Sequence, residues 1–269
     1  MSPRDALLQE LLRLISTHKE GFKSGTPESK RIDALIDELT PLSKYPNALD
    51  HPDVFRGHWA ADYHNIGRLV GGAAAKDEGI GVTVSLKVFS MGRLPDIPST
   101  FLGNGLEIDP QTGDYNFVAQ FLLGERRVPS HHFSFAKYYR REENLRRFFV
   151  EFTGFKVVPA DPKMSMQEFA EEIGVDDPAL LSAELQPRPK LWSEVAYMDD
   201  EVRVQLGQLG GHYVMLRTDR PMYSIEYFRD PSVAPPASLF RVAGISRQRI
   251  QRGAPPCAQA PRPTNPHRR

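Results

Sequence analysis

Between residues 82 and 216 the chain repeatedly alternates apolar and polar residues with period two, in short runs separated by turn signals, and this pattern sets the architecture. Val82-Thr83-Val84-Ser85-Leu86-Lys87-Val88-Phe89 alternates strictly and is rich in β-branched and aromatic residues, which predicts a strand. Leu106-Glu107-Ile108 runs into Asp109-Pro110-Gln111-Thr112-Gly113, a turn, and residues 114–123 return as a second strand, so this stretch reads as a hairpin. His132 to Tyr139 and Leu145 to Val158 give two further strands with a turn near Asn144, and runs at 191–197, 202–206 and 213–216 complete the series. Long helices do not alternate with these runs, so a parallel α/β sheet is excluded and an antiparallel sheet or barrel is expected.

Helical spacing is confined to the ends of this series. Ser2-Pro3-Arg4-Asp5 has the form of a helix start, and Leu7, Leu8, Leu11, Leu12 and Ile15 follow a 3.6-residue period, with the helix expected to end near Glu20-Gly21. Thr26-Pro27-Glu28 opens a second helix with its stripe at Ile32, Leu35, Ile36 and Leu39, stopped by Pro41 and Pro46. Ser165-Met166-Gln167-Glu168 starts a short helix that Gly174 ends, and Asp177-Pro178 begins a further helical turn. The expected layout is mainly β with α. It has an N-terminal helical hairpin (1–45), an antiparallel β-barrel domain (46–220) and a Pro/Arg-rich, largely disordered tail (221–269).

The formal net charge of the 269 residues is +0 but is unevenly placed. No acidic residue follows Asp230, while seven arginines do, so residues 1–230 carry the balancing −7. A basic tail on an acidic body is drawn to anionic surfaces, and Arg247, Arg249 and Arg252 are the candidates for contact with an anionic membrane. No apolar run reaches the ~20 residues of a spanning helix. The N-terminus shows neither a signal nor a transit layout, and the single cysteine, Cys257, excludes an internal disulfide.

Motifs for bond-making chemistry are missing. The glycine clusters lack the context of a phosphate loop or a dinucleotide fingerprint, and there is no Gly-x-Ser-x-Gly elbow. His131 and His132 are neighbours and point to opposite faces of a strand, and His58 and His64 lie about 20 Å apart along one. Asp199-Asp200-Glu201 sits in a tight turn, where carboxylates bond backbone amides. No catalytic residue, metal or cofactor is expected, and no nucleic acid partner.

Two clusters stand out. In Phe55-Arg56-Gly57-His58-Trp59-Ala60-Ala61-Asp62-Tyr63, the residues Trp59, Ala61 and Tyr63 share one face of a strand, and Ala61 leaves room between two large rings. In Tyr197-Met198-Asp199-Asp200-Glu201-Val202-Arg203-Val204, the arginine on a late strand can lie over an indole and close one barrel end. Both are closing devices for a barrel. Trp59, Tyr63, Tyr197, Asp199 and Arg203 are therefore the expected barrel-end, ligand-binding residues, with Val84, Leu86, Val88, Phe117 and Phe133 as candidates to face a cavity.

At these residues the sequence resembles the plastid-lipid-associated/fibrillin family of plants, algae and cyanobacteria. Asp53-Val54-Phe55-Arg56-Gly57-His58-Trp59 is similar to the family's entry strand "G-x-W-x-L-x-Y-T", and Tyr197 to Val204 leading into Gly207 is similar to its "Y-L-D-x-D-L-R-I-x-R-G" segment. The leucine-rich run 7–15 and the helix 26–39 agree in order with the family. Ala61 replaces the leucine after the tryptophan, His64 the threonine after the tyrosine, and Leu206-Gly207 the second Arg-Gly; residues 92–190 match loosely and the tail not at all. The resemblance implies a lipocalin-like barrel that holds a lipid, carotenoid or prenylquinone without enzymatic activity. It also implies association with thylakoids or plastid lipid droplets, in a cyanobacterium or in a plastid after removal of a leader. Two other readings remain open: a structural protein with a filled barrel at a photosynthetic membrane, and an isomerase or cyclase acting on a buried lipid.

Overall fold

The computed structural model describes residues 2–17, 26–64, 83–140, 144, 146–208 and 211–218. Two helices lead, α1 (Pro3–Thr17) and α2 (Pro27–Leu39), followed by 3-10 turns and the single-turn helix α3 (Pro52–Phe55). The strands are β1 (Gly57–His64), β2 (Thr83–Ser85), β3 (Pro98–Asp109), β4 (Asp114–Leu123), β5 (Val128–Arg140), β6 (Arg147–Pro159), β7 (Ser182–Glu184), β8 (Lys190–Met198), β9 (Val202–Gly207) and β10 (His212–Thr218). The single-turn helix α4 (Leu86–Phe89) follows β2, and α5 (Met166–Ile173) lies between β6 and β7.

Every pairing is antiparallel, in the order β1-β10-β9-β8-β6-β5-β4-β3, and β3 pairs back onto β1 to close a ring of eight strands. β2 extends β3 and β7 extends β6 outside this ring. Closure leaves the ring strands without a free edge. The barrel is mainly β with helices attached, as the alternating runs predicted.

Register decides which side chains face inward. Trp59 pairs with Leu106, Leu106 with Phe117, and Phe117 with Ser134. The row beside it runs Arg203, Met215, Ala61, Asn104, Ala119 and His132 across six strands. These rows point into the apolar core inside the ring. On β9 the alternation is clean, with Arg203 and Gln205 inward and Val202, Val204 and Leu206 outward. The outward set forms a second core with Ala196, Tyr197 and Val214 against Leu11, Ile15, Ile32, Leu35, Ile36 and Leu39 of α1 and α2. Both stripes read from the sequence are thus spent on the outer wall of β8–β10. Thr26 caps α2 by accepting from the Ser29 amide, and Arg31 joins the helices by bonding Glu10 at 2.7 Å.

The structure departs from the predicted strand at 82–89. Among its described residues only Thr83–Ser85 is extended, and Leu86–Phe89 turns helically. The turn carries Phe89 to Phe101, Phe121 and His132, with ring centroids 5.0 to 6.0 Å apart. Burial of aromatic surface inside the ring outweighs the β preference of a short run. A second departure concerns Phe133, which pairs with Val118 and Lys156 on the face opposite His132 and so does not line the interior. Phe117 does, stacked on Phe152 at 5.7 Å. The side chains of Val84 and Val88 lie outside the described residues, as does the expected tail, 221–269.

Candidate functional site

One end of the barrel interior holds a cation among aromatic rings. α3 places Phe55 there, and Gly57, with φ +110°, turns the chain directly into β1 so that Trp59 enters the interior two residues later. Trp59 is fully buried and its indole N–H donates to the Phe55 carbonyl at 3.3 Å. The Arg203 guanidinium lies 4.4 Å from the Phe55 ring centre, 5.7 Å from Tyr115 and 5.9 Å from Trp59. It is 0% exposed. Its Nη2 donates to Tyr115 Oη at 3.1 Å and to Gln205 Oε1 at 2.8 Å. Tyr115 donates to the same Gln205 oxygen at 2.6 Å, and Gln205 Nε2 donates to Ser193 Oγ at 3.2 Å. Nε and Nη1 of Arg203 have no hydrogen-bond partner.

Arg217 provides a contrast. It lies over the Trp59 ring at 4.3 Å, but its three nitrogens all donate to backbone carbonyls: Nε to Asp200 at 2.8 Å, Nη1 to Arg56 at 3.0 Å, and Nη2 to Val54. This arginine ties α3 and the β8–β9 turn together at the barrel rim. Burial lowers the pKa of both guanidiniums and raises that of Tyr115. An arginine nevertheless stays charged in a protein, so the positive charge at Arg203 is permanent.

Tyr197 and Asp199 fall elsewhere. A register shift between Val195 and Tyr197 puts Tyr197 on the outer wall under α1 and α2 rather than with Trp59 and Arg203. Its hydroxyl donates to Asp199 Oδ2 at 2.6 Å, and burial, then this bond, raise its pKa. Asp199 Oδ1 accepts from the amides of Glu201 at 2.8 Å and Val202 at 2.7 Å, the backbone role expected of a turn carboxylate. A register shift also falls between Ala61 and Tyr63, so the alternation that groups Tyr63 with Trp59 does not run through it; the Tyr63 side chain lies outside the described residues. Arg247, Arg249 and Arg252 lie outside them too.

Asp199 therefore has a measurable structural duty. Asp199→Ala removes three acceptor contacts and leaves the hydroxyl of the buried Tyr197 without its partner, at an expected cost of about 2 kcal/mol. Urea denaturation of this variant beside Tyr197→Phe checks it; a cost no greater for Asp199→Ala than for Tyr197→Phe would rule out the turn bonds as the cause.

Sequence reasoning missed Phe55, Tyr115, Gln205 and Arg217 at this end of the barrel. Gln205 was accessible, because it stands two positions after Arg203 on a strand and must share its face. Tyr115 was not, since 88 residues separate it from Arg203 and only ring closure joins them.

A second polar feature lies farther along the interior. His132 is buried among Phe89, Phe121 and Phe155, stacked 5.8 Å from the last, and its Nε2 has no hydrogen-bond partner. Burial lowers its pKa to about 3, so it is a neutral imidazole.

No protein-family profile matches this chain. Among curated proteins it is similar to the probable plastid-lipid-associated protein 3, chloroplastic, of Arabidopsis thaliana, with 24% identity over 226 residues, covering 73% of this chain and 54% of that protein. The chain thus spans about half the length of this relative. The similarity supports the resemblance seen around Trp59 and Arg203 to the plastid-lipid-associated/fibrillin family.

Proposed function

We propose that this chain binds a hydrophobic small molecule inside its barrel, as a carrier or store, and makes or breaks no covalent bond. The observation that carries this reading is the closed eight-strand ring whose inward face is mainly apolar and aromatic, with Arg203 and Gln205 at one end. An apolar molecule gains roughly 25 cal/mol for each Å² it withdraws from water, and small closed barrels hold one such ligand. The relative's printed name associates it with plastid lipid, and on that likeness the proposed setting is a plastid or photosynthetic membrane, with a lipid, carotenoid or prenylquinone as ligand. Trp59 and Arg203 are proposed to shape the binding end.

Organic extraction of the purified full-length chain, followed by mass spectrometry, is expected to release an apolar molecule in near-equimolar amount. An empty extract from a protein that also fails to take up a carotenoid or a long-chain lipid would overturn the reading. A second reading is favoured by the mutual ring contacts of Phe55, Tyr115 and Phe148 at 5.4 to 6.4 Å: a filled barrel acting as a structural protein at the membrane, with the basic tail as its anchor. Flotation with anionic liposomes, with and without residues 231–269, separates the two; undiminished binding without the tail removes the anchor.

A further inference from the structure

The interior cation sets a requirement on whatever the barrel binds. Arg203 is fully buried, and no carboxylate accepts from it among the described residues. Only Nη2 is hydrogen-bonded, to the neutral oxygens of Tyr115 and Gln205. Nε and Nη1 are left without acceptors in a surrounding of aromatic rings. A buried charge in this state is costly unless paired, and ring faces offset only part of that cost. The neighbouring Arg217, 4.3 Å from the Trp59 ring centre, shows what a structural arginine looks like here, with every nitrogen occupied by a backbone carbonyl. Arg203 serves no such purpose with Nε and Nη1.

We infer that the ligand is an amphipathic lipid bearing a single carboxylate, which enters the barrel head first and pairs with Arg203, while its chain runs along the apolar interior. This inference rests on the carrier reading above and narrows its ligand class. A guanidinium is the side chain best matched to a carboxylate. Tyr115 and Gln205 hold the guanidinium by Nη2 and so orient the unpaired nitrogens in advance of binding. One anionic oxygen pair balances one cation. A phosphate ester brings more negative charge, and Arg217, the other guanidinium in reach of Trp59, is already bound to carbonyls. A hydrocarbon carotenoid would leave Nε and Nη1 without acceptors, and a quinone would offer a carbonyl acceptor but no charge to balance the guanidinium.

The test compares three probes of one chain length, oleic acid, oleyl alcohol and oleyl phosphate, each below its aggregation concentration. The full-length, delipidated protein is used, and binding is read as radiolabelled probe retained after passage over a lipophilic resin. The acid is expected to bind about 10-fold or more tighter than the alcohol, as a charge-assisted hydrogen bond in a buried site implies, and tighter than the phosphate. In Arg203→Met the acid should fall to the level of the alcohol, whose own affinity changes little, and Arg203→Lys should recover part of the preference. Equal binding of acid and alcohol by the wild-type protein overturns the inference and leaves the carrier reading standing. So does an acid preference that survives in Arg203→Met, or a phosphate that binds tighter than the acid. Failure of all three probes overturns both. If the variants do not fold, the wild-type comparison still decides, and the Trp192→Phe protein adds a second readout. In it Trp59 is the sole tryptophan, and its emission should shift on addition of acid more than on addition of alcohol.

Discussion

Trp59→Ala should destabilise the barrel by about 4 kcal/mol, the upper range for truncating a large buried side chain. For a barrel of this size, that lowers the melting temperature by roughly 10 °C. The residue is 0% exposed and stands where three parts of the chain meet. It takes the Phe55 carbonyl from α3, pairs with Leu106 of β3 and Arg217 of β10, and presents its ring to two guanidiniums. Alanine would remove the indole volume, one hydrogen bond and two cation–π faces together. It would also leave Arg203 with less of the aromatic surface that now offsets its burial. Trp59→Phe keeps a ring and should cost less than half as much. Trp192→Ala is the matched control. That indole is only partly buried and stacks on Arg147 at 4.0 Å outside the barrel, so its loss should cost about 1 kcal/mol or less. Guanidinium denaturation of the three variants reads these values. A Trp59→Ala loss no larger than that of Trp192→Ala would show that β1 and the barrel end are held by something other than the indole.

Local chemistry explains what the sequence discloses about this fold. The hairpin at 106–123 is legible because Asp109 accepts from the Gln111 amide and Gly113 supplies φ +73°, both of which leave a residue signature. The helix after Ser165 is legible for the same reason: the Ser165–Glu168 capping box is formed, and Gly174 ends the helix in a left-handed conformation. Phe133 shows where such signals stop. Both faces of β4 and β5 are buried, with Val118, Gln120, His131 and Phe133 outward and Ala119, Phe121 and His132 inward. Two-sided burial erases the alternation that would mark the inward face. Register shifts beside Tyr63 and Tyr197 have the same effect locally, because one extra residue reverses every later side chain and nothing in the residue types announces it. At the candidate site, the Trp59 and Arg203 clusters were visible as unusual residues on strands. Their meeting, and the arrival of Tyr115 between them, depends on the β1–β3 pairing that closes the ring.

Acidification from pH 6.5 to pH 4 should remove most of the stability of this barrel, chiefly through two buried histidines. Burial lowers the pKa of His131 to about 4 and that of His132 to about 3, against an ordinary 6.5. Both are neutral in the folded chain. In the unfolded chain they take up protons as the pH falls through 6.5, so folding must exclude those protons. A folded pKa below the unfolded one means that the full contribution is present above pH 6.5 and is lost progressively toward the folded values. The slope is roughly 1 kcal/mol per pH unit for each histidine. From pH 6.5 to pH 4 the pair contributes a loss of roughly 5 kcal/mol, comparable with the whole stability of many domains. Asp5, Glu10, Glu168 and Asp200 also have lowered pKa values, from ordinary values of 3.8 to 4.5, and their linkage begins only as the pH falls through that range, at the lower end of the interval. Around His132 the partners are the rings of Phe89 on α4, Phe121 on β4 and Phe155 on β6, none of which can balance an imidazolium charge. His132→Phe keeps the stacked shape and removes the titration. It should leave stability at pH 7 within about 1 kcal/mol, and it should cut the loss between pH 6 and 4 by about half. Denaturant midpoints at pH 7, 6, 5 and 4 for both proteins measure this. Parallel pH profiles would mean that His132 is not charged on unfolding in this window, and the acid sensitivity would then belong to other groups.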